Sequence, residues 1–162
     1  DHNRIQVKLD DFDRQVLELI RLGHSYQADI TDYMGVDSAK AAASVEKLDQ
    51  GGLIVRAGTW GTKFYTYSIT ERGEAALGKL AGKEAQLCAA GLNDMYLDLL
   101  KIVAEDPAKQ PDFIKKHGVR SMQMAAISSH LTRKGYIIEG GLFKRKLRLT
   151  DKGAALVKQF AA

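Results

Sequence analysis

The chain has 162 residues, enough for one medium domain or two small ones, each with an apolar core. Hydrophobic residues make up 45% and charged residues 27%, which excludes a disordered chain, and no apolar run approaches the roughly 18 residues of a membrane span. The net charge of +4 is uneven: residues 1–80 carry 10 Lys/Arg against 12 Asp/Glu and residues 81–162 carry 14 against 8, so a polyanion is expected to meet the second part and something else the first.

The N-terminus, DHNRIQVKLDDFD, is polar and shows no signal peptide. A first helix is predicted over about 12–22, apolar at Phe12, Val16, Leu19 and Ile20 after the acidic start Asp10-Asp11. A second follows at about 26–34 and is stopped by Gly35. A third, about 38–50, carries the apolar stripe Ala41, Val45 and Leu48 and is ended by Gly52. The segment LIV then opens a β-hairpin with Trp60 at its Gly-flanked tip, and Thr70-x-x-Gly73 starts another helix. That helix is expected to run from about 71 to 90 as a rigid rod. Its stripe of Leu77, Leu80, Leu87 and Cys88 would pack on the other part of the molecule or on a second chain.

The pattern then recurs. A helix at about 94–104 has Asn93 as its cap, with Leu92 stapled onto Leu97. The next, about 111–117, begins at Pro111 and stops at Gly118. A third covers about 121–133, with Met124, Ile127 and Leu131 as its stripe and Gly135 at its end. The strand YII, a glycine-bearing turn and the return strand 143–149 lead into Thr150-x-x-Gly153. In that return strand Phe143, Leu147 and Leu149 face inward, while Lys144, Lys146 and Arg148 face outward together, with Arg145 near the turn. The stripe suits phosphate contact. A lysine-protected strand edge is the alternative.

This is an internal repeat. An offset of 83 places MGVDSAKAAASVEKLDQGGLIV (34–55) over HGVRSMQMAAISSHLTRKGYII (117–138). VLELIRL (16–22) matches YLDLLKI (96–102) at offset 80, and Thr70 and Gly73 match Thr150 and Gly153 at offset 80. The second copy is therefore expected to have three extra residues before its second helix and three fewer in its hairpin. The domain boundaries follow: a first module at 1–80, a connecting segment at 81–92 and a second module at 93–162. The fold class is mainly α with small β-hairpins (α+β).

Three helices followed by a hairpin, with Gly-Val-x-Ser, then Leu, Gly-[Leu/Tyr]-Ile and Thr-x-x-Gly, resemble the winged helix-turn-helix of the MarR, PadR and ArsR regulator group. The resemblance covers about 12–80 and 93–160. It implies a tandem winged-helix protein that regulates transcription or replication, whose third helices enter the major groove of double-stranded DNA and whose hairpins are wings on the backbone. Carried onto this chain, it assigns DNA contact to Ser38, Lys40 and Lys63 in the first module. In the second it assigns Lys115, Lys116, Arg120, Ser121, Gln123 and His130, with Lys144, Arg145, Lys146 and Arg148 on the wing. Gln123 and His130, seven apart, are expected to share a reading face.

The modules are expected to be unequal. Ala39, Ala42 and Ala43 cannot hydrogen-bond a base edge, and Asp29 and Asp37 place negative charge near the phosphates. The alternative function is a protein-docking adaptor, with a protein partner on the first module or the connecting helix, or a homodimer. No membrane partner is expected. There is no phosphate-binding glycine loop and no GxSxG, and His2, His24, His117 and His130 lack metal spacing, so neither an enzyme nor a cofactor is expected. Cys88, the sole cysteine, excludes an intramolecular disulfide; it reads as a small buried apolar residue and suits a reducing, cytoplasmic setting.

Overall fold

Asp10 begins the first helix by a reciprocal cap: its carboxylate accepts from the Asp13 N–H (2.8 Å), and Asp13 accepts from the Asp10 N–H (3.2 Å). The computed structural model describes residues 7–58, 65–140 and 146–161. In the first half, α1 (Asp11–Leu22) is followed by α2 (Gln27–Met34) and α3 (Ser38–Gln50), the last capped by Asp37, which accepts from the Lys40 N–H at 2.8 Å. Strand β1 (Ile54–Gly58) pairs antiparallel with β2 (Tyr65–Ile69), Ile54 opposite Ile69, and α4 (Glu71–Leu77) closes the half. After α5 (Gly82–Ala89) the order repeats as α6 (Asp94–Glu105), α7 (Gln110–His117) and α8 (Ser121–Arg133). Then come β3 (Ile137–Gly140), β4 (Lys146–Leu149) and α9 (Asp151–Gln159). The chain is mainly helical with two small antiparallel hairpins, as expected. Among the described residues no helix is long and apolar enough to cross a membrane.

The repeat extends to single atoms. Thr70 and Thr150 each cap a helix by accepting from the Gly73 and Gly153 N–H (3.0 Å in both), and each hydroxyl donates to the carbonyl of Gly52 or Gly135. The Thr-x-x-Gly glycines allow close approach: a Cβ on Gly73 would strike the Leu53 carbonyl, and one on Gly153 the equivalent Tyr136 carbonyl. The motif is thus the clamp that holds the closing helix against the start of the hairpin.

Three expectations are corrected. The rod expected over 71–90 is broken: α4 ends at Leu77, Gly78 takes φ 86 and Gly82 φ 59, and α5 starts afresh. Two glycines at positive φ within five residues cannot continue a helix. The three extra residues expected before the second helix of the second copy do not exist. The helix starts at 11, 27 and 38 are followed at 94, 110 and 121, and the caps Asp10 and Asn93 correspond, so the offset is 83 as far as β1. It becomes 80 only at the return strand, because the second hairpin is shorter. A three-residue slip leaves an apolar stripe nearly in phase on a 3.6-residue helix, so the stripe alone could not choose the register. Pro111 also falls on the second helical residue rather than the first.

Each half has its own core. The first gathers Val16, Leu17, Ile20, Ile30, Val45 and Leu48; the second gathers Tyr96, Leu99, Leu100, Phe113, Ile127 and Leu131. Leu22 of α1 and Leu87 of α5 join the second core, and Tyr33 of α2 packs on both. The halves are joined most extensively where α2 lies against α8.

Candidate nucleic-acid interface

Helix α8 divides its surface three ways. Met124, Ile127 and Leu131 enter the core of the second half, as the stripe predicted. Ala126 and His130 are buried on a second face, against the first half. The remaining arc, with Ser121, Met122, Ala125, Ser129 and Thr132, is exposed. A groove of about 590 Å³ runs along this arc between the start of α7 at Gln110 and the strand residue Leu147. Among the described residues its lining includes Ser121, Ser128, Ser129, Thr132 and Arg133 and no carboxylate.

The cations of the second half fall into two groups. Lys115 on α7 and Arg148 on β4 are exposed and have no ion pair among the described residues. The alternation predicted for the strand holds where it is described: Leu147 is buried, Leu149 half-buried and Arg148 exposed, opposite the exposed Ile138. Lys144 and Arg145 lie outside the described residues, as does the side chain of Lys146, whose backbone pairs with Gly140 in the ladder.

Lys116, Arg120 and Arg133 are engaged within the chain. Lys116 and His117 both meet Asp98, at 2.9 and 2.7 Å. Burial works to raise the pKa of Asp98, but hydrogen bonds from His117 and Lys116 outweigh it and hold the carboxyl below its usual range. Arg120 donates to the Tyr33 carbonyl at 2.7 Å, and its guanidinium fills the space that a Cβ on Gly35 would need. Gly35, at φ 66, is favoured for its backbone, and a side chain there would push the Arg120 guanidinium aside. Arg133 pairs with Asp29 of α2 and lies over the Tyr26 ring.

His130 corrects the expectation that it shares a reading face with Gln123. It is fully buried, and its Nε2 donates to the Gly91 carbonyl at 2.6 Å. Seven residues make about two turns, so Gln123 and His130 do lie nearly in line, but that line runs toward the first half rather than toward solvent. Gln123 is half-buried, its side-chain oxygen 3.4 Å from the Arg120 nitrogen. Asp29, expected near phosphates, is also buried in the seam. Burial favours its neutral form, but His24 and Arg133 outweigh that and depress its pKa.

In the first half, Ser38 and Lys40 are exposed at the start of α3, with the Lys40 ammonium 4.6 Å from the Phe12 ring centroid. Lys63 and Trp60 lie outside the described residues. Beyond Lys40 the exposed face of α3 presents Ala39, Ala43, Glu46 and Gln50. Arg56 of β1 is held by Asp49 and Glu46 at 2.8 and 3.3 Å. Asp37 is committed to its cap. The sequence did not announce the knot beneath this helix, where Asp13 accepts from Ser44 (2.8 Å) and Lys47 (2.5 Å). Nor did it announce His24, buried 2.6 Å from the Tyr96 hydroxyl. The only signal was a carboxylate at a position where α1 should be apolar.

The connecting segment behaves in part as expected. Leu87 is buried in the second core and Leu77 packs on the first. Cys88 is half-buried beside the Arg21 carbonyl, and burial pushes its thiol pKa up, away from thiolate chemistry. Among the described residues no three His, Cys, Asp or Glu side chains gather to hold a metal. No family model, curated protein or solved structure matches the chain.

Proposed function

We propose that the chain is a double-stranded-DNA-binding regulator built as two tandem winged-helix units, with DNA held by the second. One observation carries the reading: among the described residues the groove along α8 is lined by hydroxyls and Arg133 and by no carboxylate, and it is bordered by the strand that bears Arg148. Small side chains let a helix approach a groove wall closely, and hydroxyls donate to phosphate oxygens. The surplus of basic residues in this half supplies the long-range attraction. The contact is chiefly with the backbone, because Arg120 and His130, two of the side chains expected to read bases, are engaged in the seam.

Anisotropy of a labelled duplex, measured against salt, tests this on the full chain. Lys115→Gln with Arg148→Gln should weaken binding for every sequence alike. The slope of log affinity against log salt should flatten by about 0.9 for each phosphate contact removed. Unchanged affinity and slope in the double variant would defeat the reading.

The first half supports a second role, docking of a protein. Tyr26 and Tyr65 are 36% and 47% exposed, and with Tyr67 and Asp32 they line a groove of about 640 Å³. Aromatic surface of this kind suits a protein contact better than a polyanion beside Asp32 and Glu46. Tyr65→Ser should leave duplex affinity unchanged.

A further inference from the structure

The centre of the seam is a pair of imidazoles. His24, in the turn between α1 and α2, and His130, near the end of α8, are both fully buried, with ring centroids 4.3 Å apart and planes 21° from parallel. The Gly91 carbonyl facing His130 Nε2 can only accept, so that nitrogen carries the proton and Nδ1 carries a lone pair. Both Nδ1 atoms are buried without a hydrogen-bond partner among the described residues; that of His24 looks toward Asp29 at 3.5 Å. The groups facing the pair are Asp29 and Tyr33 from α2, Arg133 and Lys134 from α8 and its cap, and Tyr96 from α6. Of these only Asp29 is a carboxylate, and Arg133 already pairs with it. One anion thus serves two imidazoles and two cations.

We infer that the α2–α8 seam is a proton-sensitive latch: protonating His130 in the stacked imidazole pair parts the two halves and uncovers the face of α8 that lies on α2. Its consequence rests on the DNA reading above. Opening uncovers the half-buried Gln123 and the buried His130, and it frees Arg120 and Arg133, which are exposed in the closed state but held by Tyr33 and Asp29. In the closed state these groups hold the halves together; in the open state they can meet base edges and phosphates.

Burial first, and then repulsion from His24, hold His130 down at about 4, against an ordinary 6.5. The open form therefore takes up its proton at a higher pH than the closed one. Closure is at full strength above about pH 6.5 and weakens by about tenfold per pH unit as pH falls toward 4. Below that it loses no more, after a total of up to about 300-fold.

The test uses the full chain with spin labels at Ala75→Cys and Ala155→Cys, exposed positions on α4 and α9 that correspond in the repeat, in a Cys88→Ala background. Label separation, helicity by circular dichroism and affinity for a short duplex at constant salt are followed from about pH 7.5 to about pH 4.5. The expected result is a longer, broader separation below pH 6.5 at constant helicity, with duplex affinity rising in the same window. Asp29→Asn, which removes the one carboxylate, should move the step toward neutral pH, and His130→Asn should abolish it. A separation that stays constant until helicity collapses overturns the latch. So does a step that Asp29→Asn leaves in place or that survives in His130→Asn. If the halves part and duplex affinity does not rise, the uncovered face is not a DNA surface and that consequence of the latch is overturned, whereas the DNA reading of the exposed groove falls only if the Lys115→Gln, Arg148→Gln variant binds as the parent does.

Discussion

The two halves place different chemistry at the same three positions. At offset 83, Asp13, Ser44 and Lys47 of the first half correspond to Tyr96, Ile127 and His130 of the second. In the first half they form an ionic knot that reaches water at Lys47, whose side chain is 39% exposed. In the second half all three are fully buried, and Tyr96 and His130 receive His24 and Tyr33 from the first half. One fold position thus serves as surface in one copy and as seam in the other. What decides is whether the cationic residue keeps access to water: an ammonium at the rim can stay charged, whereas a fully buried imidazole must stay neutral.

The seam itself is head-to-tail, α2 of one half on α8 of the other. A contact of that kind leaves equivalent faces free at both ends and can add further copies. Here those faces have changed. Tyr33 corresponds to Lys116, and Arg133 corresponds to Gln50, both exposed.

The equivalence of the halves is tested most severely at the Thr-x-x-Gly clamp. Gly73→Ala and Gly153→Ala should each cost about 3 kcal/mol, since the added methyl meets a backbone carbonyl that cannot turn aside. Denaturant melts of both variants check this, and a large difference between them would show that the clamps are not equivalent. Next comes the knot. Asp13→Ala should cost about 2 kcal/mol by leaving Ser44 without its buried partner. Lys47→Met should cost less, because Asp13 keeps its bonds from Ser44 and the Asp10 N–H, and the equivalent His130 should prove less tolerant than Lys47.

Acid separates the two regions by pH. Burial works to raise the pKa of Asp13, but bonds from Lys47, Ser44 and the Asp10 backbone N–H outweigh it and hold the carboxyl below its ordinary 3.8. The stability it contributes is therefore complete above about pH 4 and is lost as pH falls through the lower folded value. Asp13→Asn should flatten the loss of melting temperature below pH 4 and leave the range above it unchanged. Smaller still are the caps: Thr70→Ala and Thr150→Ala should each cost about 1 kcal/mol, by equal amounts if the two helices are held alike. The smallest effects on folding belong to the groups assigned to DNA. Lys115→Gln and Arg148→Gln should change stability by about half a kcal/mol or less. Lys40→Gln in the first half should in addition leave the salt slope of duplex binding where it was.

Local chemistry determined much of this molecule. Helices over 38–50 and 121–133 were legible because caps, glycines and an apolar stripe agree within a few residues of each other. The same holds for Thr70 and Thr150, which cap helices three residues before a glycine in both halves. The break at Gly78 was written in the sequence but was outweighed by an apolar stripe that does not require a continuous helix. The register of the first helix was not legible, because a slip of three residues keeps that stripe almost in phase. Which face of α8 is covered could not be read locally at all. Arg120 reaches Tyr33 across 87 residues and Arg133 reaches Asp29 across 104. Periodicity says which side chains share a line on a helix, but only the packing of another helix decides whether that line meets water or a buried imidazole.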